Sequence, residues 1–163
     1  MVLLVAIIVL ALVFDYTNGF HDTANAIATS VSTRALSPRV AVMMAAGLNL
    51  VGALVSTSVA MTVGEGLVDT ALVSMQVVLA ALVGAVVWNF VTWYLGIPSS
   101  SSHALIGGLV GAAIASAGLD SVVWSGVIEK VVLPMVLSPL VGFVGAYGMM
   151  LALSWIVQRR SPG

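Results

Sequence analysis

The side chains of this 163-residue sequence that are equipped for chemistry gather in two places. The first holds Asn18, Asp22, Asn25 and Thr29, spaced i, i+4, i+7 and i+11, which on a helix places a carboxylate, two amides and a hydroxyl on one stripe. Oxygens of this kind can hold a small cation. The second is Pro98-Ser99-Ser100-Ser101-Ser102-His103, followed by Ala104-Leu105-Ile106-Gly107-Gly108. Proline suits the first turn of a helix and serine its cap, so this segment predicts a helix start preceded by a hydroxyl-rich turn. Unpaired N–H groups and the helix dipole make such an end attractive to anions. The hydroxyls add donors that fit a tetrahedral oxyanion. His21 and His103 lie beside the two places, and imidazole can carry a proton near neutral pH. The plainer reading of each is a polar residue bonded to a neighbouring carbonyl.

These residues must be positioned inside a membrane. The sequence is 61% apolar and 7% charged, with a net charge of −1, and its mean hydropathy is +1.18. Soluble domains carry about 25% charged residues, so an all-α integral membrane protein is expected. The absence of cysteine excludes disulfide frameworks, thiolate metal sites and thiol catalysis. Five basic residues in no cluster exclude nucleic acid as a partner. The charge-free windows predict helical segments at about 2–14, 18–33, 40–63, 70–95, 98–119 and 131–157. The fourth and fifth are separated at Gly96-Ile97-Pro98, and Pro134 and Pro139 fall in the last. Glycine-rich stretches such as Gly107-Gly108-Leu109-Val110-Gly111 read as helix-packing surfaces.

Residues 1–33 as one helix would be about 50 Å long, against a hydrocarbon core of about 30 Å. A break is therefore expected at Asp15-Tyr16-Thr17-Asn18-Gly19, where Asn18 and Gly19 are poor helix-interior residues. The polar stripe beyond it is expensive in lipid and must face protein or a watery cavity, which makes Asp22 a functional candidate. Two interrupted helices whose N-termini converge are how many secondary transporters hold an anionic group beside a coupling cation. A carboxylate next to an anion site needs a cation or proton to neutralise it, so the expected mechanism is symport. Arg34 and Arg39 read as cytoplasmic anchors that snorkel to headgroups. With them inside, a full crossing by residues 104–119 brings Arg159 and Arg160 inside as well.

Two other classes compete with this reading. A hydrolase would use a serine, a histidine and Asp22, but Ser102 and His103 are sequence neighbours, which rarely have the geometry of a nucleophile and its base. No enzyme is therefore expected. An anion channel or a structural membrane subunit would also explain polar stripes and glycine-rich spans.

Gly19-Phe20-His21-Asp22-Thr23-Ala24-Asn25-Ala26 and Pro98-Ser99-Ser100-Ser101-Ser102-His103-Ala104 resemble the two first-half signatures of the inorganic phosphate transporter (PiT) family, in its bacterial low-affinity branch. The similarity extends over Trp88-Asn89 and Thr92-Trp93-Tyr94. It implies one repeat of an inverted-repeat phosphate transporter, in the plasma membrane and, for a bacterium, the inner membrane. It further implies that Asp22 and Asn25 serve the coupling ion, and that Asn25, Ser100, Ser101 and Ser102 bind phosphate. His21 and His103 are the proton-linked candidates. Where the common pattern has Ala-Asn, this sequence has Phe20-His21. The coupling ion that the resemblance implies is Na+ or H+, and the implied substrate is free phosphate or a divalent metal–phosphate complex, with sulfate the lesser alternative. No covalent cofactor is implied. Only one pair of signatures is present, so the expectation is a segment that a second repeat of the same polypeptide, or a second copy in a homodimer, completes.

Overall fold

The computed structural model describes residues 1–55 and 66–158. The described residues contain five long helices: α1 (Val2–Ser32), α2 (Pro38–Val55), α3 (Met75–Leu95), α4 (Ser101–Ala117) and α5 (Trp124–Gln158). All but α4 are long and apolar enough to cross a bilayer. The end of the span expected at 40–63, and Arg159 and Arg160, lie outside the described residues.

The break expected in the first segment is absent. α1 runs unbroken through Asp15, Asn18 and Gly19 for 31 residues, or about 46 Å at 1.5 Å per residue. Thr17 and Asn18 usually weaken helices because their side chains compete for backbone groups. Here the Thr17 hydroxyl donates to the Phe14 carbonyl at 2.8 Å, within the helical pattern. The Asn18 amide is engaged by other side chains. The competition that would open the helix is removed by these partners.

The second interruption forms as the sequence predicts. Gly96 ends α3 at φ +66°, a left-handed conformation that glycine adopts without steric penalty. Its N–H and that of Ile97 fold back onto α3 carbonyls, with Ile97 donating to Thr92 at 2.9 Å. Ser100 then caps α4, its hydroxyl accepting from the His103 N–H. Other boundaries shift by a few residues. α3 starts at Met75 behind a Ser74 cap, after a short turn at Thr70–Leu72 that Asp69 caps.

Contacts divide the chain into two units, Met1–Val123 and the residues from Trp124 onward. In the first, Phe14 packs with Leu82, Ala85 and Val86, Thr17 meets Asn89, and His21 meets Thr92. Numbers rise together on both partners, so α1 and α3 run parallel. α4 returns antiparallel to α3: Gly108 lies against Ala81 at one level and Ser99 against Trp88 at the other. An isolated antiparallel bridge between Val68 and Val122 ties the chain entering α3 to the chain leaving α4. This hairpin brings the start of α4 beside Asn18 and Asp22 of the α1 polar stripe.

The α3–α4 approach depends on Gly108. A Cβ there would stand 2.5 Å from the Ala81 carbonyl oxygen, and backbone cannot move aside as a side chain does. Around Gly107 there is open space. Gly108→Ala is expected to cost about 1–3 kcal/mol through overpacking. In detergent, the thermal midpoint should fall by about 2–4 °C for each kcal/mol, with Gly107→Ala unchanged. Equal midpoints for the two variants would show that the contact does not hold the hairpin.

The second unit is the helix α5. It begins earlier than the span expected at 131–157, because Trp124–Val127 and a π turn at Ile128–Val132 lead into Leu133–Gln158 without a gap. The wider turn, in which Leu133 N–H reaches the Ile128 carbonyl, carries the helix past Glu129 and Lys130 up to Pro134. Pro139 is accommodated inside the helix, and the Ser138 hydroxyl donates to the Pro134 carbonyl at 2.6 Å.

Candidate functional site

Where the hairpin tip meets α1, the side chains close a hydrogen-bonded network around Asp22. Ser101, in the first turn of α4, donates its hydroxyl to Asp22 Oδ2 at 2.5 Å. Asn18, one turn before Asp22 on α1, donates its amide to the same oxygen at 3.0 Å and also to Ser101 Oγ. The other carboxylate oxygen, Oδ1, lies 3.2 Å from His21 Nδ1. The second nitrogen of that ring, Nε2, lies 3.1 Å from the Thr92 hydroxyl on α3. Three helices thus hold one carboxylate.

The network is sheltered. His21, Thr92 and Ser101 are buried, and Asp22 is half-buried. Phe20 lays its ring against Phe90 and Trp93, with centroids 6.3 and 5.6 Å apart, and so covers the α1–α3 seam next to His21. One helical turn earlier, the buried Asn89 donates to Thr17 Oγ1 at 3.1 Å. Among the described residues, Asn89 Oδ1 is buried with no hydrogen-bond partner, a state that typically costs about 1–3 kcal/mol.

Electrostatics follow from this placement. The first N–H groups of a helix have no partner within it, and the start of α4 carries the positive end of its dipole. Asp22, bound to a first-turn side chain, supplies the negative charge such an end attracts. A second anion approaching the same turn meets a carboxylate already there. It needs a cation between the two, or a proton.

The sequence-derived candidates are distributed unequally. Asp22, Ser101 and His21 come together. Ser100 and Ser102 turn to two other surroundings. Ser100 lines a cavity of about 400 Å³ with Trp88, Ser99 and His103. Ser102 lines a cavity of about 850 Å³, largely apolar, that also contains Asp15. Asn25 and Thr29 are exposed on α1, beyond the network. His103 is exposed as well, so of the two imidazoles only His21 reaches Asp22. Thr17, Asn89 and Thr92 were not singled out from the sequence as site residues. Their signal was nevertheless present: Asn89 and Thr92 are spaced i, i+3 in an otherwise apolar stretch of α3.

With this geometry in place, comparison with known proteins is informative. Residues 18–162 match the model of the phosphate transporter family, described as PHO4. The chain belongs to this family. The members of this family are transporters, not enzymes, and membership together with the apolar helices makes the chain an integral protein of the plasma membrane. A Mycobacterium bovis relative, described as a probable low-affinity inorganic phosphate transporter, is 56% identical over 162 residues, 99% of this chain and 38% of the relative. A Streptomyces halstedii relative with the same description is 55% identical over 162 residues, 98% of this chain and 75% of the relative. A solved structure titled "The sodium-dependent phosphate transporter" superposes with a TM-score of 0.88 at 29% identity, covering 95% of this chain and 40% of that one. The chain thus spans about two fifths of the mycobacterial relative and of the solved transporter. The bacterial relatives point to the inner membrane.

Proposed function

We propose that this chain forms one half of a cation-coupled phosphate transporter, in which Asp22 takes the coupling cation and the start of α4 receives phosphate. The observation that carries the reading is the bond from Ser101 to Asp22, which puts a carboxylate against a helix N-terminus inside a membrane protein. A doubly charged oxyanion is repelled there unless a cation arrives with it. Coupling follows from that requirement, because neither ion is well held alone. The sodium-dependent title of the superposed structure supports Na+ as the cation, and a proton or a metal–phosphate complex would satisfy the same charge balance.

Phosphate would meet the free N–H groups of the first turn of α4, with the Ser100 and Ser102 hydroxyls on its two flanks and Asn25 on the α1 side. A second repeat of the same polypeptide, or a second copy of this chain in a homodimer, would supply the facing half of the site. The test is uptake of labelled phosphate by the complete polypeptide in proteoliposomes, with sodium and proton gradients imposed separately. Saturable uptake that collapses with one of the two gradients is expected. Linear flux indifferent to both would assign a channel, and stronger inhibition by sulfate than by unlabelled phosphate would reassign the substrate.

A further inference from the structure

The carboxylate of Asp22 is gripped at both oxygens, and the grip on Oδ1 runs back into α3. A carboxylate oxygen only accepts, so His21 Nδ1, 3.2 Å away, carries the hydrogen of that bond. Once one ring nitrogen is committed, the ring's orientation is set by what the other nitrogen meets. Here Nε2 meets the Thr92 hydroxyl at 3.1 Å. That hydroxyl has one hydrogen to give, shared between Nε2, the acceptor nitrogen of this tautomer, and the Trp88 and Asn89 carbonyl oxygens 2.9 and 3.2 Å away. A β-branched side chain held against its own helix has little rotational freedom. Thr92 is 2% exposed and His21 5%, so the contact between them is sheltered from water.

We propose that Thr92 is a positioning residue for the coupling cation: acting through His21, it fixes the plane of the Asp22 carboxylate. The inference rests on the reading of Asp22 as the carboxylate that meets the cation. Rotation about the last bond of an aspartate is soft and broad. Asn18 and Ser101 both restrain the carboxylate at Oδ2, and the swing their bonds still permit is opposed at the other edge by the bond to Oδ1. The His21 bond removes that swing only as far as the ring itself is held, and Thr92 is what holds it. The cation then meets lone pairs already aimed, instead of spending binding energy on ordering them. Partners one step removed from a metal typically change its affinity by 10–100-fold.

The experiment measures labelled phosphate uptake by the complete polypeptide in proteoliposomes, as a function of coupling-cation concentration at constant pH. Thr92→Val should raise the half-saturating cation concentration about tenfold, while the KM for phosphate at saturating cation stays within about twofold. Thr92→Ser, which keeps the hydroxyl, should restore the wild-type value. His21→Ala should give a shift of similar size, and adding Thr92→Val to it should change little, since both act on one bond. An unmoved half-saturation in Thr92→Val overturns the role of Thr92, as does a defect that Thr92→Ser fails to repair. If Thr92→Val does not reach the membrane, a normal cation dependence in His21→Ala overturns it instead. Wild-type protein that shows no cation-dependent phosphate uptake overturns the reading of Asp22 itself.

Discussion

Asp22→Asn is expected to lower phosphate uptake at sub-saturating cation by about a hundredfold or more, in protein that still inserts and packs. The substitution keeps the shape of the side chain and removes its charge. It also turns one acceptor oxygen into a donor NH₂. In the wild type every neighbour donates: Asn18 and Ser101 to Oδ2, and His21 to Oδ1. An amide in that cage faces a donor with a donor on one side, whichever way it is flipped. It offers a cation one neutral oxygen in place of a carboxylate. A hydrogen bond to a charged group is worth about 1.5–3 kcal/mol, and each 1.4 kcal/mol is tenfold in affinity. Loss of the charge together with one such bond accounts for a hundredfold effect. Protein amount in the membrane is measured alongside uptake. Unchanged uptake from normally inserted Asp22→Asn would remove Asp22 from the mechanism.

Ser101→Ala separates two roles for the hydroxyl that lies deepest in the site. As a phosphate ligand, Ser101 would matter to the KM for phosphate. Its position argues for the other role: it is fully buried, it donates to Asp22, and it accepts from Asn18. The hydroxyl's single hydrogen is already given to the carboxylate. Removing it leaves Asp22 Oδ2 with Asn18 alone and costs about 2 kcal/mol. That corresponds to about a thirtyfold rise in the half-saturating cation concentration. The phosphate KM at saturating cation should move less than about threefold, and Ser101→Thr should recover most of the loss. A thirtyfold change in phosphate KM with unaltered cation dependence would instead assign Ser101 to the substrate.

Much of this site was legible in the residues, for reasons that are physical and local. Charge-free windows locate helices in a membrane protein because lipid excludes charge, and they predicted the all-helical architecture. Gly96 and Pro98 separate α3 from α4 because one adopts a left-handed conformation and the other cannot extend a helix. The pairing of the Asp22 stripe with the serine-rich helix start also followed from chemistry, since an intramembrane carboxylate requires a partner. What could not be read locally was how far each residue's neighbours would alter its tendencies. Asn18 and Gly19 counted as helix breakers by propensity alone, whereas the Asn18 amide is satisfied by Asp22 on its own helix and by Ser101 on another. The serine run shows a different limit. Successive residues of a helix point about 100° apart, so Ser101 and Ser102 cannot both face Asp22. The helical period contained that information, but which serine faces α1 depends on how the hairpin packs. Thr92 fell outside the reading because its i, i+3 spacing with Asn89 marks a polar face on α3 without showing which residue of α1 meets it.

The continuity of α1 has a mechanical consequence. Asp22 stands on a rod that runs without a hinge from Val2 to Ser32 and stops in the turn where Arg34 adopts φ 59°. A broken helix would let the ion site adjust while its two ends stayed still. An unbroken one transmits any axial slide or tilt at Asp22 to both ends at once, ten residues onward to the Thr33–Ser37 turn and twenty residues back to the apolar start. An ion at this half-buried carboxylate that slid or tilted α1 would move the turn that joins α1 to α2 along with it.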